Sequence, residues 1–261
     1  MDLGIKNKVA MVLGAGGGLG SAIATALAAE GARVAACDIS EEALKSSAEQ
    51  ITGAGRTVTN FVFDLADLGA GDAAVDTIEA ELGEVAILVN ITGGPPPTAA
   101  TGIPIDQWRD NFDAMVAPVI RLTDRVLPGM RRAGWGRIIT STSSGVITPI
   151  PNLMLSNSLR AALVAWSKTL SAEVAADGVT ANIVAPGRIA TQRIHQLNEA
   201  RAQREGRTAD DVSAESTRTI PVGRYGLPSE YANVVAFLSS EQASFVNGSV
   251  VRVDGGMIPN I

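Results

Sequence analysis

Short, wholly apolar runs alternate along this chain with longer stretches whose apolar residues recur every three to four positions. Val9 to Leu13 is the first such run. It stops at a cluster of glycines, after which Leu19, Ile23, Ala26 and Leu27 recur at helical spacing up to Gly31. The unit then repeats, with strands predicted at Arg33 to Cys37, Val58 to Phe63 and Val85 to Val89, and helices at Glu41 to Ile51 and Ala70 to Leu82. The second half predicts a long helix from Ile105 to Met130 bent at Pro118, a strand from Gly136 to Ser141, a helix from Leu153 to Ala176 and a strand from Val179 to Val184. A last helix, Ser229 to Ser239, and a strand, Ser249 to Val253, close the pattern. Runs of about five apolar residues separated by helices predict right-handed βαβ units, hence an α/β fold with a seven-stranded parallel sheet flanked by helices. No linker-like stretch interrupts it, so one doubly wound domain is expected over 1–261. From Arg188 to Arg224 the alternation lapses into a polar, arginine-rich segment.

Composition supports this pattern. Hydrophobic residues make up 46% of the chain and aromatic ones 4%, so the core must be built from Ala, Val, Ile and Leu, as buried parallel strands require. The net charge of −6 argues against nucleic acid as a partner. Met1 to Asn7 has no apolar run and nowhere are there 18 consecutive apolar residues, so no membrane segment is expected. Cys37 is the single cysteine and sits in an apolar run, which fits a buried thiol, a reducing compartment and a cytoplasmic location. One histidine and one cysteine offer no metal-ligand spacing.

The chemistry begins at the first strand-to-helix turn. Gly14, Gly18 and Gly20 leave a strand and open a helix, where missing side chains let the backbone approach a diphosphate and the helix N-terminus favours its charge. Asp38 ends the second strand, where a carboxylate accepts hydrogen bonds from ribose hydroxyls and repels a 2′-phosphate. NAD is therefore expected in preference to NADP. The competing reading makes Asp38 the N-cap of the next helix, although Ser40 is an equally good cap.

The spacing Gly14-x-x-x-Gly18-x-Gly20 resembles the short-chain dehydrogenase/reductase family, and further segments agree in order over nearly the whole chain. They are Asp64-Leu65, Leu88 to Gly93, Gly136 to Ile139, Pro186 to Thr191 and Val253 to Gly256. The resemblance implies a cofactor site made by Gly14, Gly18, Leu19 and Gly20 at the turn and by Asp38 beyond it. Asp64 and Leu65 would contact adenine, and Asn90 and Gly93 would line the channel. Pro186, Gly187, Ile189 and Thr191 would hold the nicotinamide carboxamide. It further implies that 188–224 covers the substrate and that the protein is a homotetramer. Apolar residues on more than one face of the helices from Ile105 and Leu153 agree with a homo-oligomer.

The catalytic half departs from the family pattern. The family's Tyr-x-x-x-Lys pair falls on Ser156 and Arg160, its serine on Ser143, and its asparagine on Met115. Reducing a carbonyl takes a proton as well as a hydride, and a serine hydroxyl lacks the acidity of a phenol beside an ammonium. Arg160 keeps the positive charge, could hydrogen-bond the nicotinamide ribose, and would suit a substrate carboxylate. Ser143, Ser156 and Arg160 are the candidate catalytic residues, with His195 and Tyr225 as alternative proton donors. Gly94-Pro95-Pro96-Pro97 is expected to stiffen the pocket wall.

These features point to an atypical oxidoreductase resembling the family's oxoacyl-carrier-protein reductases. It would act on a small carbonyl, oxoacyl, imine or quinone-like substrate. A non-catalytic dinucleotide-binding or regulatory protein, and a non-redox elimination or hydration enzyme on the same fold, stand as alternatives.

Overall fold

The computed structural model describes residues 1–260. In the first half β1 (Val9–Leu13), α1 (Gly18–Ala29), β2 (Arg33–Asp38), α2 (Glu41–Gly53), β3 (Val58–Val62), α3 (Leu68–Leu82) and β4 (Val85–Asn90) alternate as the pattern predicts. The second half contributes α4 (Ile105–Met115), α5 (Ala117–Ala133), β5 (Gly136–Ser141), α6 (Met154–Val174) and β6 (Val179–Pro186). It ends with α7 (Gln192–Glu205), α8 (Ala209–Arg218), α9 (Pro228–Leu238) and β7 (Val250–Val253).

The seven strands form one sheet in the order β3-β2-β1-β4-β5-β6-β7, and every pair is parallel. Successive side chains of a strand point to opposite faces, and both faces are covered. Val12, Val34 and Ala36 pack with Ile23, Leu27, Leu44, Ile51 and Val235 on one side. Met11, Leu13, Ala35 and Ile138 pack with Val75, Ile78, Val126 and Val174 on the other. Two-sided burial explains why central strands such as β1 and β4 read as apolar runs. Chain order reverses at β1, whose neighbours β2 and β4 lead outward in opposite directions, and a crevice opens there at the carboxyl ends of the strands. Cys37 lies in this core, and burial beside Asp38 pushes its thiol pKa well up, leaving an inert sulfur.

One expectation is corrected, and one segment the pattern left undefined is resolved. The helix foreseen from Ile105 to Met130 is two helices, α4 and α5, separated at Val116. Pro118 has no N–H to donate to the preceding turn, so it occupies the first turn of α5, where none is needed. The polar segment 188–224 holds α7 and α8. Its helices bury little apolar surface and are bound to each other by charge. Arg201 pairs with Glu205 and with Glu215, each at 2.7 Å, while Arg207 bridges the same two carboxylates. Hydrophobic periodicity has little to report in such a segment.

Tyr231 on α9 is fully buried, and burial raises its phenol pKa. Its hydroxyl donates to the Val184 carbonyl (3.2 Å) and shares a 2.7 Å hydrogen bond with Ser141 Oγ, tying α9 to β6 and β5. Tyr231→Phe leaves both partners short of a bond, and urea unfolding should show a loss of about 1–2 kcal/mol. An unchanged midpoint would mean that the two bonds contribute nothing net.

Candidate active site

At the end of β1 the chain turns through Gly14, which has φ +65°, a conformation that favours glycine. A Cβ on Gly20 would fall 2.0 Å from the Gly14 carbonyl oxygen, so the turn closes to this distance only because Gly20 has no side chain. On the other side of the turn, a Cβ on Gly18 would meet Thr191 Cγ2 at 3.0 Å. The N-cap of α1 is Gly17, which supplies no capping side chain, so the first-turn N–H groups stay open to an anion.

Asp38 latches onto this turn. One carboxylate oxygen accepts from the Gly16 N–H and the other from the Ser40 N–H, each at 3.0 Å. Ser40 caps α2, its hydroxyl accepting from the Ala43 N–H at 3.2 Å. The capping role thus belongs to Ser40, and Asp38 is left facing the crevice.

The crevice is a cleft of about 790 Å³. Its wall includes Gly14, Gly18, Leu19, Gly20, Asp38, Asp64, Leu65, Gly93, Pro186, Gly187, Ile189 and Thr191. These are the expected cofactor residues with one exception. Asn90, expected along the channel, is completely buried beneath it, because its side chain turns towards the paired residue of β5 and donates to Thr140 Oγ1 at 3.2 Å. A long cleft with a bare glycine cradle and a carboxylate on β2 fits a dinucleotide.

Ser143, Ser156 and Arg160 all reach the same cleft. Ser143 follows β5, and its Oγ accepts from the Gly145 N–H at 3.1 Å, so the hydroxyl hydrogen remains to be donated. Ser156 lies in the first turn of α6, and Arg160 follows one turn later on the same face.

Arg160 is 8% exposed. It donates Nη2 to the carbonyls of Gly93 (2.9 Å) and Thr92 (3.4 Å) and Nη1 to that of Ser141 (3.3 Å). No carboxylate pairs with it among the described residues. Burial pulls its pKa down to about 10, a shift Tyr231 opposes and the nearby Arg193 charge increases, so it remains a cation at neutral pH. Met115, buried at the end of α4, puts an apolar thioether on the wall where the resemblance would have an asparagine amide.

The alternative proton donors do not reach this group. His195 is exposed and turns away from the cleft, although Gln192, Arg193, Ile194, Gln196 and Leu197 around it all line the wall. Tyr225 is absent from the wall, and its hydroxyl accepts from Asn198 Nδ2 at 3.0 Å. Of the glycine-proline segment only Gly94 and Pro95 line the cleft. Sequence reasoning missed the α7 residues, above all Arg193, whose Nη2 donates to the Pro95 carbonyl at 3.2 Å. The available signal was its position two residues after Thr191.

A family model described as enoyl-(acyl carrier protein) reductase matches residues 14–258. The 3-oxoacyl-[acyl-carrier-protein] reductase of Salmonella typhimurium is 35% identical over 257 residues, covering 98% of this chain and 99% of that protein. D-threitol dehydrogenase of Mycolicibacterium smegmatis is 31% identical over 255 residues, covering 98% and 94%. The crystal structure of L-sorbose reductase from Gluconobacter frateurii, complexed with NADPH and L-sorbose, superposes with a TM-score of 0.94 at 31% identity, with both chains fully covered.

Gly20→Ala tests the turn, because the new methyl would meet backbone that cannot swing aside. NADH affinity, measured by its fluorescence, should fall at least about tenfold, equivalent to 1.4 kcal/mol. Circular dichroism should keep its α/β shape. Unchanged affinity would show that the turn does not cradle the ligand.

Proposed function

Since this chain belongs to the short-chain dehydrogenase/reductase family and is an NAD(P)-dependent oxidoreductase of that type, we propose that it prefers NAD and reduces a small carbonyl, oxoacyl, imine or quinone-like substrate. Its catalytic site on this reading is a serine pair beside a buried arginine. One observation carries the reading: Ser143, Ser156 and Arg160 converge on the wall that also holds Asp38. Asp38 ends β2 and Ser143 follows β5, three strand intervals apart, or roughly 14 Å, a span suited to the two ends of a dinucleotide.

A nicotinamide held in this cleft would supply the hydride. The protein has to place the substrate, supply a proton and stabilise negative charge on the substrate oxygen. Ser143 donates its free hydroxyl hydrogen to that oxygen. Ser156, whose hydroxyl makes no hydrogen bond to the described chain, holds a water that passes the proton to that oxygen and regains one from bulk solvent through the open cleft. Arg160 cannot give up its own proton, but its charge lowers the cost of an oxyanion nearby and its remaining N–H groups suit the nicotinamide ribose hydroxyls. A serine-held water is a weaker acid than a lysine-assisted phenol, so imines, quinones and activated carbonyls suit this site better than simple ketones. The α7–α8 segment covers the substrate, with Arg193 fastening it to the Pro95 loop. Homo-oligomerisation belongs to the same reading, and α4 leaves Ile105 and Phe112 exposed.

The NAD preference rests on charge. Asp38 and Asp64 lie on the wall at the end assigned to adenine, and among the described residues the only basic ones lining the cleft are Arg160 and Arg193. A 2′-phosphate would face a carboxylate with no cation to receive it. L-sorbose reductase is described with NADPH, so the two cofactors must be compared directly. NADH should bind more tightly than NADPH, and Asp38→Ala should narrow or reverse the difference. A wild-type protein that binds NADPH more tightly sinks this preference.

Turnover is tested with a panel of ketones, quinones and imines. NADH that binds without being oxidised by any of them would favour the non-catalytic dinucleotide-binding alternative. The double variant Ser156→Tyr with Arg160→Lys should raise simple-ketone turnover by about 10²-fold or more. No gain in that variant would count against the residue correspondence.

A further inference from the structure

We infer that the substrate of this cleft carries a carboxylate, docked by Arg193 on α7 across Gly94 from the buried Arg160. This rests on the reading of the cleft as a cofactor and substrate site, and adds the chemical class of the substrate.

Gly94 supplies the geometry. The point a Cβ would occupy there lies 3.8 Å from Arg193 Nη2 and 3.9 Å from Arg160 Nη2, so two guanidinium groups flank one small volume that has no side chain in it. Both arginines line the cleft. Neither is in an ion pair among the described residues, whereas Arg201, Arg207 and Arg224 nearby in the chain are paired with glutamates. Like charges brought together in a partly dry cleft without a counter-anion raise the energy of the free protein, and an anion between them removes that cost.

The two cations play different parts. Arg160 is fastened to three carbonyls, so it contributes a fixed charge and little freedom to reorient. Arg193 is exposed on one side and spends a single donor on Pro95, which leaves most of its planar fork for the two oxygens of a carboxylate. The wall also carries apolar Ile194, Leu197, Leu153 and Met115, interspersed with the amides of Gln192 and Gln196. An oxo acid with a compact hydrocarbon body matches both features. The competing source of negative charge is the cofactor diphosphate, but the Gly14 to Gly20 turn and the open N-terminus of α1 already provide for it.

Two acids, 4-methyl-2-oxopentanoate and phenylpyruvate, are each paired with their methyl esters and titrated by calorimetry into the protein with and without NADH. Inorganic pyrophosphate serves as the diphosphate control. At least one acid should bind about tenfold or more tightly than its ester. Arg193→Gln should abolish that difference, Arg193→Lys should restore part of it, and NADH affinity should stay within about twofold in both variants. Acid and ester binding alike, or acid-specific binding by neither pair, overturns the inference. So does an Arg193→Gln protein that loses affinity for NADH or pyrophosphate while its preference for acid over ester persists. Failure of NADH to bind the wild type would instead strike the cofactor reading, and the titration without NADH still decides the carboxylate.

Discussion

The contact on which the active site depends is the approach of Gly20 to the Gly14 carbonyl, so close that a single methyl could not be inserted. It fixes how tightly α1 follows β1 and therefore where the uncapped N-terminus of α1 points. Asp38 reinforces the position by hydrogen-bonding Gly16 from the neighbouring strand, so the cradle and the carboxylate beside it are held as one unit. α1 in turn packs against α9, whose Tyr231 is anchored to β5 and β6. The turn is thus linked through two helices to the strands that carry the catalytic end.

At that end Arg160 is as much a structural clamp as a chemical group. Its guanidinium gathers carbonyls from the ends of β4 and β5, which a planar fork with five donors can do at fixed angles and a single ammonium does differently. In the proposed mechanism Arg160 cannot deprotonate, so proton movement falls to hydroxyls and water while the charge stays in place. The same permanent charge makes Arg193 costly to bring near, a cost that the inferred carboxylate substrate would remove. The departures at Ser156 and Arg160 leave the fold around them unaltered, and on the proposed reading they change how the site handles protons and which substrates it attracts.

The α/β alternation was legible because the inner strands are buried on both faces and most helices on one, so packing imprints the two periods directly on the residues. The glycine spacing and Asp38 were legible for a related reason: each acts through backbone geometry within one βα unit. The limits show where periodicity loses its physical basis. α7 and α8 escaped because arginine–glutamate pairs, with no apolar stripe, bind them together. The break at Val116 was foreseen only as a bend, since a proline constrains the preceding turn without stating whether the helix resumes its direction.

By itself, then, the sequence determined the family and the sheet, and it singled out the glycine turn and three residues, Ser143, Ser156 and Arg160, that line the same cleft, all of which depend on local pattern or on order along the chain. Only the tertiary structure decided that Asn90 is buried away from the channel, that His195 faces solvent, and that Arg193 comes to share the space over Gly94 with Arg160. These are contacts between segments far apart in the chain, and their geometry is set by how helices seat on the sheet, which no spacing of residues records.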